Sequence, residues 1–269
     1  MRLSEAKRIL KEAGIEDHSF DARAIFSEIG GVRPADMIGN DPDLCSEEVL
    51  LAVKRRAARE PLQYILGYTY FYRERYTVNE DCLIPRRDTE VLVECAIRNL
   101  PRGESFIDLC TGSGCVGISV LSNTEGTRAV LADISEKALS VAERNAGDNG
   151  VADRAQLVLC DLRTDFPDGE WYAILSNPPY VSDGAYETLE REISYEPKIA
   201  FVGGEDGADF YRRLVPECLS HLKDGGFIAF EIGYDQAEII LEIAQDHGLC
   251  CEIINDLSGN PRVAFMKKR

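Results

Sequence analysis

The pattern of apolar and polar positions divides the chain into a helical first part and a longer part in which strands and helices alternate. In three stretches before residue 60, apolar residues recur at helical spacing, and each stretch ends at a glycine or proline. Because no strand-like alternation interrupts them, residues 1–66 are predicted to form a small helical domain, with Asp21 as the N-cap of its second helix. The predicted helices are 3–13, 21–29 and 46–59.

An aromatic stretch follows this helical part. Residues 67–84 contain four tyrosines and one phenylalanine, most of them alternating with polar residues. Aromatic enrichment with a period of two favours a β-hairpin, which would link two domains. After the hairpin, Asp88 and its neighbours are predicted to begin a helix that ends near Asn99.

From residue 104 onward, strand-length apolar runs alternate with helix-length segments. Such alternation predicts an α/β domain over residues 85–269, with a mostly parallel sheet and helices on both faces. The loop 256–261 is too short for a crossover helix, so the last two strands are predicted to be antiparallel. The predicted strands are 104–109, 127–132, 155–160, 171–176, 225–232, 249–255 and 262–267, and the predicted helices are 114–122, 135–149, 208–222 and 235–247.

Composition narrows the class of protein. The chain has 269 residues, of which 45% are hydrophobic and 29% charged, as in a soluble globular protein. No apolar run approaches the roughly 20 residues that cross a bilayer, and the N-terminus lacks the apolar core of a signal peptide. These two absences predict no membrane partner, and nine cysteines without a C-x-x-C pair indicate a reducing cytoplasm. Three widely separated histidines predict no metal site.

The net charge limits the partners of the protein. At −17, the chain is a poor candidate for tight non-specific binding to nucleic acid, which depends on neutralising phosphates with Lys and Arg. One local basic cluster is present, formed by Lys54, Arg55, Arg56 and Arg59. The simplest interpretation of this cluster is the solvated face of a helix.

A glycine-rich segment follows the first strand of the α/β part. Residues 110–117 read Cys-Thr-Gly-Ser-Gly-Cys-Val-Gly and precede a predicted helix. This is a G-x-G-x-x-G motif between a strand and a helix, where glycines permit a tight turn and the close approach of a ligand to the backbone. The motif alone also suits NAD, so it does not identify the cofactor.

Acidic residues end the next two strands. A carboxylate at Asp133 can accept both hydroxyls of a ribose, and one at Asp161 can accept from an adenine amino group. Taken singly, each is more simply a solvent-facing loop residue. Because the carboxyl ends of parallel strands meet at one edge of a sheet, the two together outline a nucleoside site.

The fourth strand ends at Ser176-Asn177-Pro178-Pro179-Tyr180. Neither proline can donate to a neighbouring strand, and each restricts the residue before it, so the strand ends on a stiff backbone. The Asn177 side-chain oxygen and the Pro178 carbonyl are two acceptors beside the flat face of Tyr180, which suits a planar group that carries an NH2. A plain strand-to-loop turn explains the tetrapeptide about equally well.

The order of these motifs distinguishes between cofactors. S-adenosylmethionine has adenosine but no pyrophosphate, and it would place its sulfonium methyl group beyond the glycine loop, where the fourth strand ends. A dehydrogenase would have no use for Asn-Pro-Pro-Tyr at that position. The sequence therefore favours S-adenosylmethionine over NAD.

These motifs, in this order, resemble those of the HemK/PrmC family, the glutamine methyltransferases of peptide chain release factors. The resemblance covers nearly the whole chain. Asn-Pro-Pro-Tyr alone also occurs in adenine-N6 methyltransferases of DNA, whereas the full ordered set is much more specific. The matching segments are Arg59–Gly67, Leu83–Glu90, Asp108–Gly114, Asp133–Ser135, Asn177–Tyr180, Glu196–Pro197, Gly203–Gly207, Glu231–Gly233 and Arg262–Val263.

The resemblance implies a class I S-adenosylmethionine-dependent methyltransferase fold, which is Rossmann-like with a seven-stranded, mostly parallel sheet. It implies that a helical bundle over 1–66 recognises the substrate, that 67–84 is a hairpin linker, and that the methyl group goes to the glutamine of a Gly-Gly-Gln loop. The implied cofactor-binding residues are Asp108, Cys110, Thr111, Gly112, Ser113, Gly114, Asp133, Ile134, Asp161, Leu162 and Asn177. The implied catalytic and substrate-binding residues are Asn177, Pro178, Pro179 and Tyr180.

Two residues depart from the family pattern. Arg87 replaces a usual proline in the Leu83–Glu90 segment, which would loosen that loop. Cys110 replaces a usual glycine at the start of the glycine loop. Because a cysteine with positive φ is strained, Cys110 is expected to have an ordinary, negative φ.

Two other functions remain open. An adenine-N6 methyltransferase acting on DNA or RNA would share the amine-binding motif, but the net charge of −17 and the absence of a basic recognition domain disfavour it. A non-catalytic adaptor that binds S-adenosylmethionine to stabilise its fold would have no use for Asn177–Tyr180. Release factors are therefore the predicted partners, and no direct nucleic-acid target is expected.

Overall fold

The computed structural model describes all 269 residues, which separate into two compact units. The first unit comprises Met1–Tyr68 together with Glu190–Tyr195, and the second comprises Thr69–Leu189 together with Glu196–Arg269. A short segment from late in the chain is thus part of the first unit. None of the helices combines the length and the apolar composition that crossing a bilayer requires.

The first unit is helical. Its apolar core is built by residues spaced three or four apart on the facing helices, among them Leu3, Ala6 and Leu10 on one helix and Ala22 and Phe26 on the next. The three predicted helices are present, and a short fourth helix follows Pro61. The helices are α1 (Leu3–Glu12), α2 (His18–Glu28), α3 (Glu47–Ala57) and α4 (Leu62–Leu66), with a 3-10 turn at Pro34–Met37.

The predicted capping role of Asp21 is wrong. Helix α2 begins at His18, and Asp21 lies inside it, 4% exposed, where Oδ2 accepts from Arg56 Nε at 2.7 Å. Arg56 also contacts Glu192 at 3.2 Å, and Arg59 contacts the same carboxylate at 3.1 Å. Burial raises the pKa of Asp21, and the hydrogen bond and charge of Arg56 oppose that shift. Because Arg55 also pairs with Glu60, three arginines of the basic cluster are used in ion pairs within this unit.

The hairpin predicted within 67–84 is present as β1 (Tyr68–Phe71) and β2 (Glu74–Thr77). Two residues connect the strands, and the first of them, Tyr72, has a φ of 56°. Positive φ in a two-residue turn matches the right-handed twist of the flanking strands.

The second unit contains one seven-stranded sheet. In space the strands follow the order β5-β4-β3-β6-β7-β9-β8. Strands β3 to β7 run parallel to one another, whereas β9 is antiparallel to both β7 and β8. The predicted sheet and its antiparallel end are confirmed. The strands are β3 (Ser105–Leu109), β4 (Arg128–Asp133), β5 (Ala155–Leu159), β6 (Trp171–Ser176), β7 (Leu222–Glu231), β8 (Leu249–Asn255) and β9 (Pro261–Lys268).

Helices cover both faces of this sheet. In β3, Phe106 belongs to one hydrophobic cluster and the next residue, Ile107, to the other, because successive side chains of a strand point to opposite faces. The helices are α5 (Glu90–Asn99), α6 (Cys115–Ser122), α7 (Glu136–Asp148), α8 (Asp183–Tyr186), α9 (Asp209–Ser220) and α10 (Ala237–Asp246), with 3-10 turns at Arg87–Thr89 and Lys198–Ala200.

The strand order creates a crevice at the carboxyl edge of the sheet. The chain runs outward from β3 to β4 and β5, then returns to place β6 on the other side of β3. Leu109, at the end of β3, is in register with Ala132 of β4 and Ser176 of β6. The segments that follow these strands therefore meet at a topological switch point, where open α/β sheets bind their ligands.

Candidate active site

A cavity of about 440 Å³ lies at this edge of the sheet. Its size falls in the range of roughly 300–1,000 Å³ that is typical of small-molecule sites. Among the predicted site residues, Gly114, Pro178 and Tyr180 do not line it. Those that do are Asp108, Cys110, Thr111, Gly112, Ser113, Asp133, Ile134, Asp161, Leu162, Asn177 and Pro179.

The carboxylate of Asp108 fixes the glycine loop by accepting hydrogen bonds from both of its ends. Its side chain is buried, and Oδ2 accepts from Thr111 Oγ1 at 2.6 Å and from the Gly117 N–H at 3.0 Å. Burial raises the pKa of Asp108 to about 7, although both hydrogen bonds lower it. Gly114, at φ 82°, precedes α6, and a Cβ there would lie 2.6 Å from Ile118 Cδ1. The loop therefore requires this glycine, and Asp108 fixes its shape.

Two groups in the loop region are available to a ligand. Ser113 Oγ is buried without any hydrogen-bond partner. Asp133 accepts from the Gly112 N–H at 2.8 Å and from the Ser135 N–H at 2.9 Å, through different oxygens. Because each carboxylate oxygen has two acceptor positions, Asp133 retains capacity for two hydroxyl groups. Burial raises the pKa of Asp133, and its backbone hydrogen bonds oppose that shift.

Asp161 is placed differently from Asp133. Both of its oxygens accept from the Arg163 guanidinium, each at 2.9 Å, and this pairing lowers the pKa of Asp161. The neighbouring Leu162 carbonyl accepts from Arg213 Nε. The carboxylate predicted to meet an adenine amino group is thus half of an ion pair in the cavity wall.

Asn177 is held with its amide nitrogen toward the protein. Nδ2 donates to Thr89 Oγ1 at 3.3 Å, and Thr89 is only 2% exposed. Asn177 itself lines the cavity, and no protein group donates to its Oδ1. Its free acceptor is therefore the atom that a ligand NH2 would need. The Pro178 carbonyl also has no protein donor.

The backbone after Asn177 is braced by a second glycine segment. Val181 forms two backbone hydrogen bonds with the segment 201–203. Its N–H donates to the Phe201 carbonyl at 2.8 Å, and its carbonyl accepts from the Gly203 N–H at 2.9 Å. A Cβ at Gly203 would lie 2.4 Å from the Pro179 carbonyl oxygen. Only glycine permits this approach, which explains the matching segment 203–207.

Tyr180 contacts the protein interior through its hydroxyl. The OH donates to Glu231 Oε1 at 3.1 Å, and its backbone carbonyl accepts from Gln236 Nε2 at 2.9 Å. Burial raises the pKa of Glu231 to about 7, and the nearby Thr89 hydroxyl and Arg262 oppose that shift. The Tyr180 ring, predicted to offer a stacking face, does not line the cavity.

The Leu83–Glu90 segment is held on both sides of Arg87. The buried carboxylate of Glu196 accepts from the Ile84 N–H at 2.9 Å and pairs with Arg86. On the other side, Glu90 Oε1 accepts from the Tyr72 N–H at 2.9 Å. Arg87 itself begins the 3-10 turn, a position where proline is also tolerated. These contacts order the segment with arginine in place of the usual proline.

The expectation of an ordinary φ for Cys110 is wrong. Its φ is 57°, in the left-handed region. The chain leaves β3 at this residue, and the next N–H, of Thr111, donates to the Ala132 carbonyl of β4 at 3.0 Å. Keeping that bond while turning into the glycine loop requires positive φ, which is strained by about 1–2 kcal/mol for an L-residue.

The sequence interpretation missed four residues of the site: Thr89, which lines the cavity, and Glu196, Glu231 and Gln236, which hold the segments around it. Three of them lie in segments that match the family, at 83–90, 196–197 and 231–233, although no role was assigned to them. Gln236 gave no signal, because its contact with the Tyr180 carbonyl depends on the fold alone.

Comparison with known proteins identifies the family. Residues 2–67 match the PrmC N-terminal domain, and residues 87–199 match the methyltransferase small domain. A release factor glutamine methyltransferase of Caulobacter vibrioides is 36% identical over 269 residues, which cover 97% of this chain and 93% of that protein. One from Geobacter sulfurreducens is 36% identical over 260 residues, covering 94% and 91%. The chain belongs to the release factor glutamine methyltransferase family.

Solved structures of methyltransferases have a fold similar to that of this chain. The ribosomal protein L11 methylase of Lactobacillus delbrueckii has a TM-score of 0.54 at 20% identity, covering 71% of this chain and 84% of that one. A methyltransferase from Pyrococcus furiosus has a TM-score of 0.54 at 19% identity, covering 71% and 86%. The second unit is therefore a class I methyltransferase domain.

Release factor glutamine methyltransferases use S-adenosylmethionine, and the cavity suits this cofactor. Asp133 offers acceptors for a ribose, and the orphaned Ser113 hydroxyl offers a further polar contact. The glycine loop exposes its backbone to the same space, because a Cβ at Gly112 would meet no atom within 4 Å. These are the groups that an adenosine with a short polar tail requires.

Proposed function

We propose that this protein transfers the methyl group of S-adenosylmethionine to the side-chain amide nitrogen of the glutamine in the Gly-Gly-Gln motif of peptide chain release factors. This activity takes place in the cytoplasm and modulates translation termination. One observation carries the proposal. Asn177 turns its nitrogen to Thr89 and leaves Oδ1 free at the cavity, beside the glycine loop and Asp133.

The chemical difficulty is the weak nucleophilicity of an amide nitrogen, whose lone pair is delocalised into the carbonyl. When bound, S-adenosylmethionine supplies a methyl group activated by its sulfonium. Asn177 Oδ1 and the Pro178 carbonyl would accept the two N–H groups of the glutamine and so orient its nitrogen. Orientation of this kind contributes roughly 7–11 kcal/mol in favourable cases.

The same two acceptors also favour the transition state over the ground state. As the nitrogen becomes positive, its protons become stronger donors, so both hydrogen bonds strengthen. No histidine or lysine lines the cavity, so no side chain of these types serves as a base. Asn177 and Pro178 therefore act by position and polarity, and the proton that the methylated nitrogen must lose passes to water.

We assign the protein substrate to the helical region 1–66, the linking role to the hairpin 67–84, and catalysis to 85–269. Every residue that lines the cavity comes from after residue 80, so no side chain of the helical region is needed for the cofactor. The PrmC N-terminal domain match over 2–67 supports a shared role for this region in the family.

The alternative is an adenine-N6 methyltransferase. The net charge of −17 disfavours it, and Arg56 and Arg59 of the basic cluster already form ion pairs. A methyl-transfer assay with labelled S-adenosylmethionine on intact release factor, a Gly-Gly-Gln peptide, duplex DNA and RNA separates the two. Methylation of the release factor, lost when its motif glutamine is replaced by alanine, is the expected result. Methylation of nucleic acid alone would establish the alternative.

A further inference from the structure

Asn145 links the glycine loop to strand β2 of the hairpin. It is fully buried in the last turn of helix α7. Its Nδ2 donates to the Ser113 carbonyl at 2.9 Å and to the Thr77 carbonyl at 3.0 Å, and its Oδ1 accepts from the Thr77 N–H at 2.7 Å. Ser113 lines the cavity, whereas Asn145 and Thr77 do not.

These three hydrogen bonds depend on the chemistry of a primary amide. An asparagine side chain has two N–H donors on one side and one oxygen acceptor on the other. At Asn145 both donors are used by carbonyl groups and the oxygen is used by an N–H, so the flipped amide would lose all three bonds. An aspartate would keep the acceptor but lose both donors.

Strand β2 also contacts the beginning of helix α6. The buried Tyr76 hydroxyl donates to the Cys115 carbonyl at 3.2 Å and lies 2.6 Å from Ser119 Oγ. Ser119 Oγ in turn donates to Glu74 Oε2 at 3.0 Å. Cys115 is thus held by β2 directly, and Ser113, two residues before it, is held through Asn145.

A fixed position matters for Ser113 because its hydroxyl is a candidate contact for the cofactor. Its Oγ is buried without a hydrogen-bond partner. A group that is already ordered before it meets its ligand adds no ordering cost to the free energy of binding. Since Ser113 is only 2% exposed, solvent does not supply a replacement for the Asn145 donor.

We propose that Asn145 is a positioning residue that ties the hairpin to the glycine loop, so that strand β2 holds Ser113 in place for S-adenosylmethionine. The hairpin then contributes to cofactor binding in addition to linking two domains. The proposal deepens the proposed function and rests on it only through the cofactor.

The first test compares two asparagines that both bind the hairpin. Asn149 donates to the Arg75 carbonyl of β2 at 3.2 Å, and its other side-chain bond goes to the Asn145 carbonyl, not to the glycine loop. Asn145→Ala should raise the Kd for S-adenosylmethionine about tenfold, the effect of losing a buried hydrogen bond that orders the site. Asn149→Ala, the matched control, should stay within about twofold of wild type.

Isothermal calorimetry measures both values. It reports the Kd separately from the fraction of folded protein, which appears in the stoichiometry, so a general loss of structure does not imitate the effect. With intact release factor, the loss in Asn145→Ala should appear more in the KM for S-adenosylmethionine than in kcat. A wild-type Kd in Asn145→Ala, or equal rises in the two variants, would overturn the proposal.

The second test uses the wild-type protein, so it also decides the matter if Asn145→Ala does not fold. If Asn145 couples the loop to β2, saturating S-adenosylmethionine must stabilise the bond that the Thr77 N–H makes with it. Hydrogen exchange at Thr77 should therefore slow about tenfold more than at Tyr72, whose N–H donates to Glu90 in the same hairpin. Equal changes at the two positions would overturn the coupling.

Calorimetry and hydrogen exchange need no release factor, which keeps the two proposals distinguishable. A wild type that binds S-adenosylmethionine but methylates no release factor contradicts the proposed function, and both tests of Asn145 remain decisive. An active wild type whose Asn145→Ala variant binds the cofactor equally well overturns the positioning role alone.

Discussion

The backbone N–H of Gly112 donates to Asp133 Oδ2 over 2.8 Å, which joins the glycine loop to the acid at the end of β4. The other oxygen of Asp133 accepts from the Ser135 N–H at 2.9 Å. Both oxygens are thus oriented by backbone groups within the folded chain itself. A carboxylate fixed in this way loses little freedom when it binds a ligand, which makes it an effective recognition group.

Asp133→Ala should weaken the binding of S-adenosylmethionine by about 1–3 kcal/mol, because two ribose hydroxyls lose a charged acceptor. Asp161→Ala should weaken it less, since the Asp161 carboxylate is already paired with Arg163. Isothermal calorimetry on both variants measures the difference. Equal losses in the two variants would contradict the distinction drawn between these acids.

Asn177→Ala should lower kcat on intact release factor by two or more orders of magnitude, roughly 3 kcal/mol of transition-state stabilisation. Affinity for the cofactor should change far less, because the glycine loop and Asp133 remain in place. Steady-state kinetics at saturating substrate, together with calorimetry, provide the two measurements. A nearly normal kcat would show that Asn177 is only a turn residue.

Asn177→Asp is the informative companion to that variant. It keeps an acceptor but adds a negative charge close to the sulfonium, which stabilises the ground state. Methyl transfer discharges the cation, so this added attraction is lost in the transition state. The variant should bind the cofactor at least as tightly as wild type and still have a lower kcat.

Cys110→Gly should give a more stable protein than Cys110→Ala, by about 1 kcal/mol. Both variants lose the thiol, but only glycine is relieved of the strain at φ 57°. Thermal or urea unfolding of the pair measures the difference. At an ordinary φ the order would reverse, because glycine loses more backbone entropy on folding than alanine.

Glu231→Gln should flatten the pH dependence of stability. Burial raises the pKa of Glu231 from 4.5 to about 7, so its favourable contribution is complete below pH 4.5 and is lost as the pH rises through 7. Between pH 5 and pH 8, the free energy of unfolding of wild type should fall by about 2 kcal/mol relative to the glutamine variant. Asp108 is present in both proteins, so its own titration cancels in the difference. Parallel curves for the two proteins would show that Glu231 does not titrate in this range.

The sequence by itself determined the architecture and the surface of the site. Strand-length apolar runs alternating with helices predict a parallel sheet, because each such strand must be covered on both faces. The carboxyl ends of parallel strands share one edge, so the sequence alone predicts that the glycine loop, Asp133 and Asn177 lie together. These inferences depend on spacing along the chain, and spacing is what a sequence contains.

The tertiary structure alone decided what each side chain does within that frame. Local rules made Asp21 a helix cap, yet a buried Arg56 from another helix pairs with it. The same rules predict a negative φ for Cys110, yet its place between β3 and the glycine loop requires a positive φ. The amide nitrogen of Asn177 donates to Thr89, which lies 88 residues away along the chain. Such contacts join distant positions, and a local pattern contains no information about the partner that burial will place beside a residue.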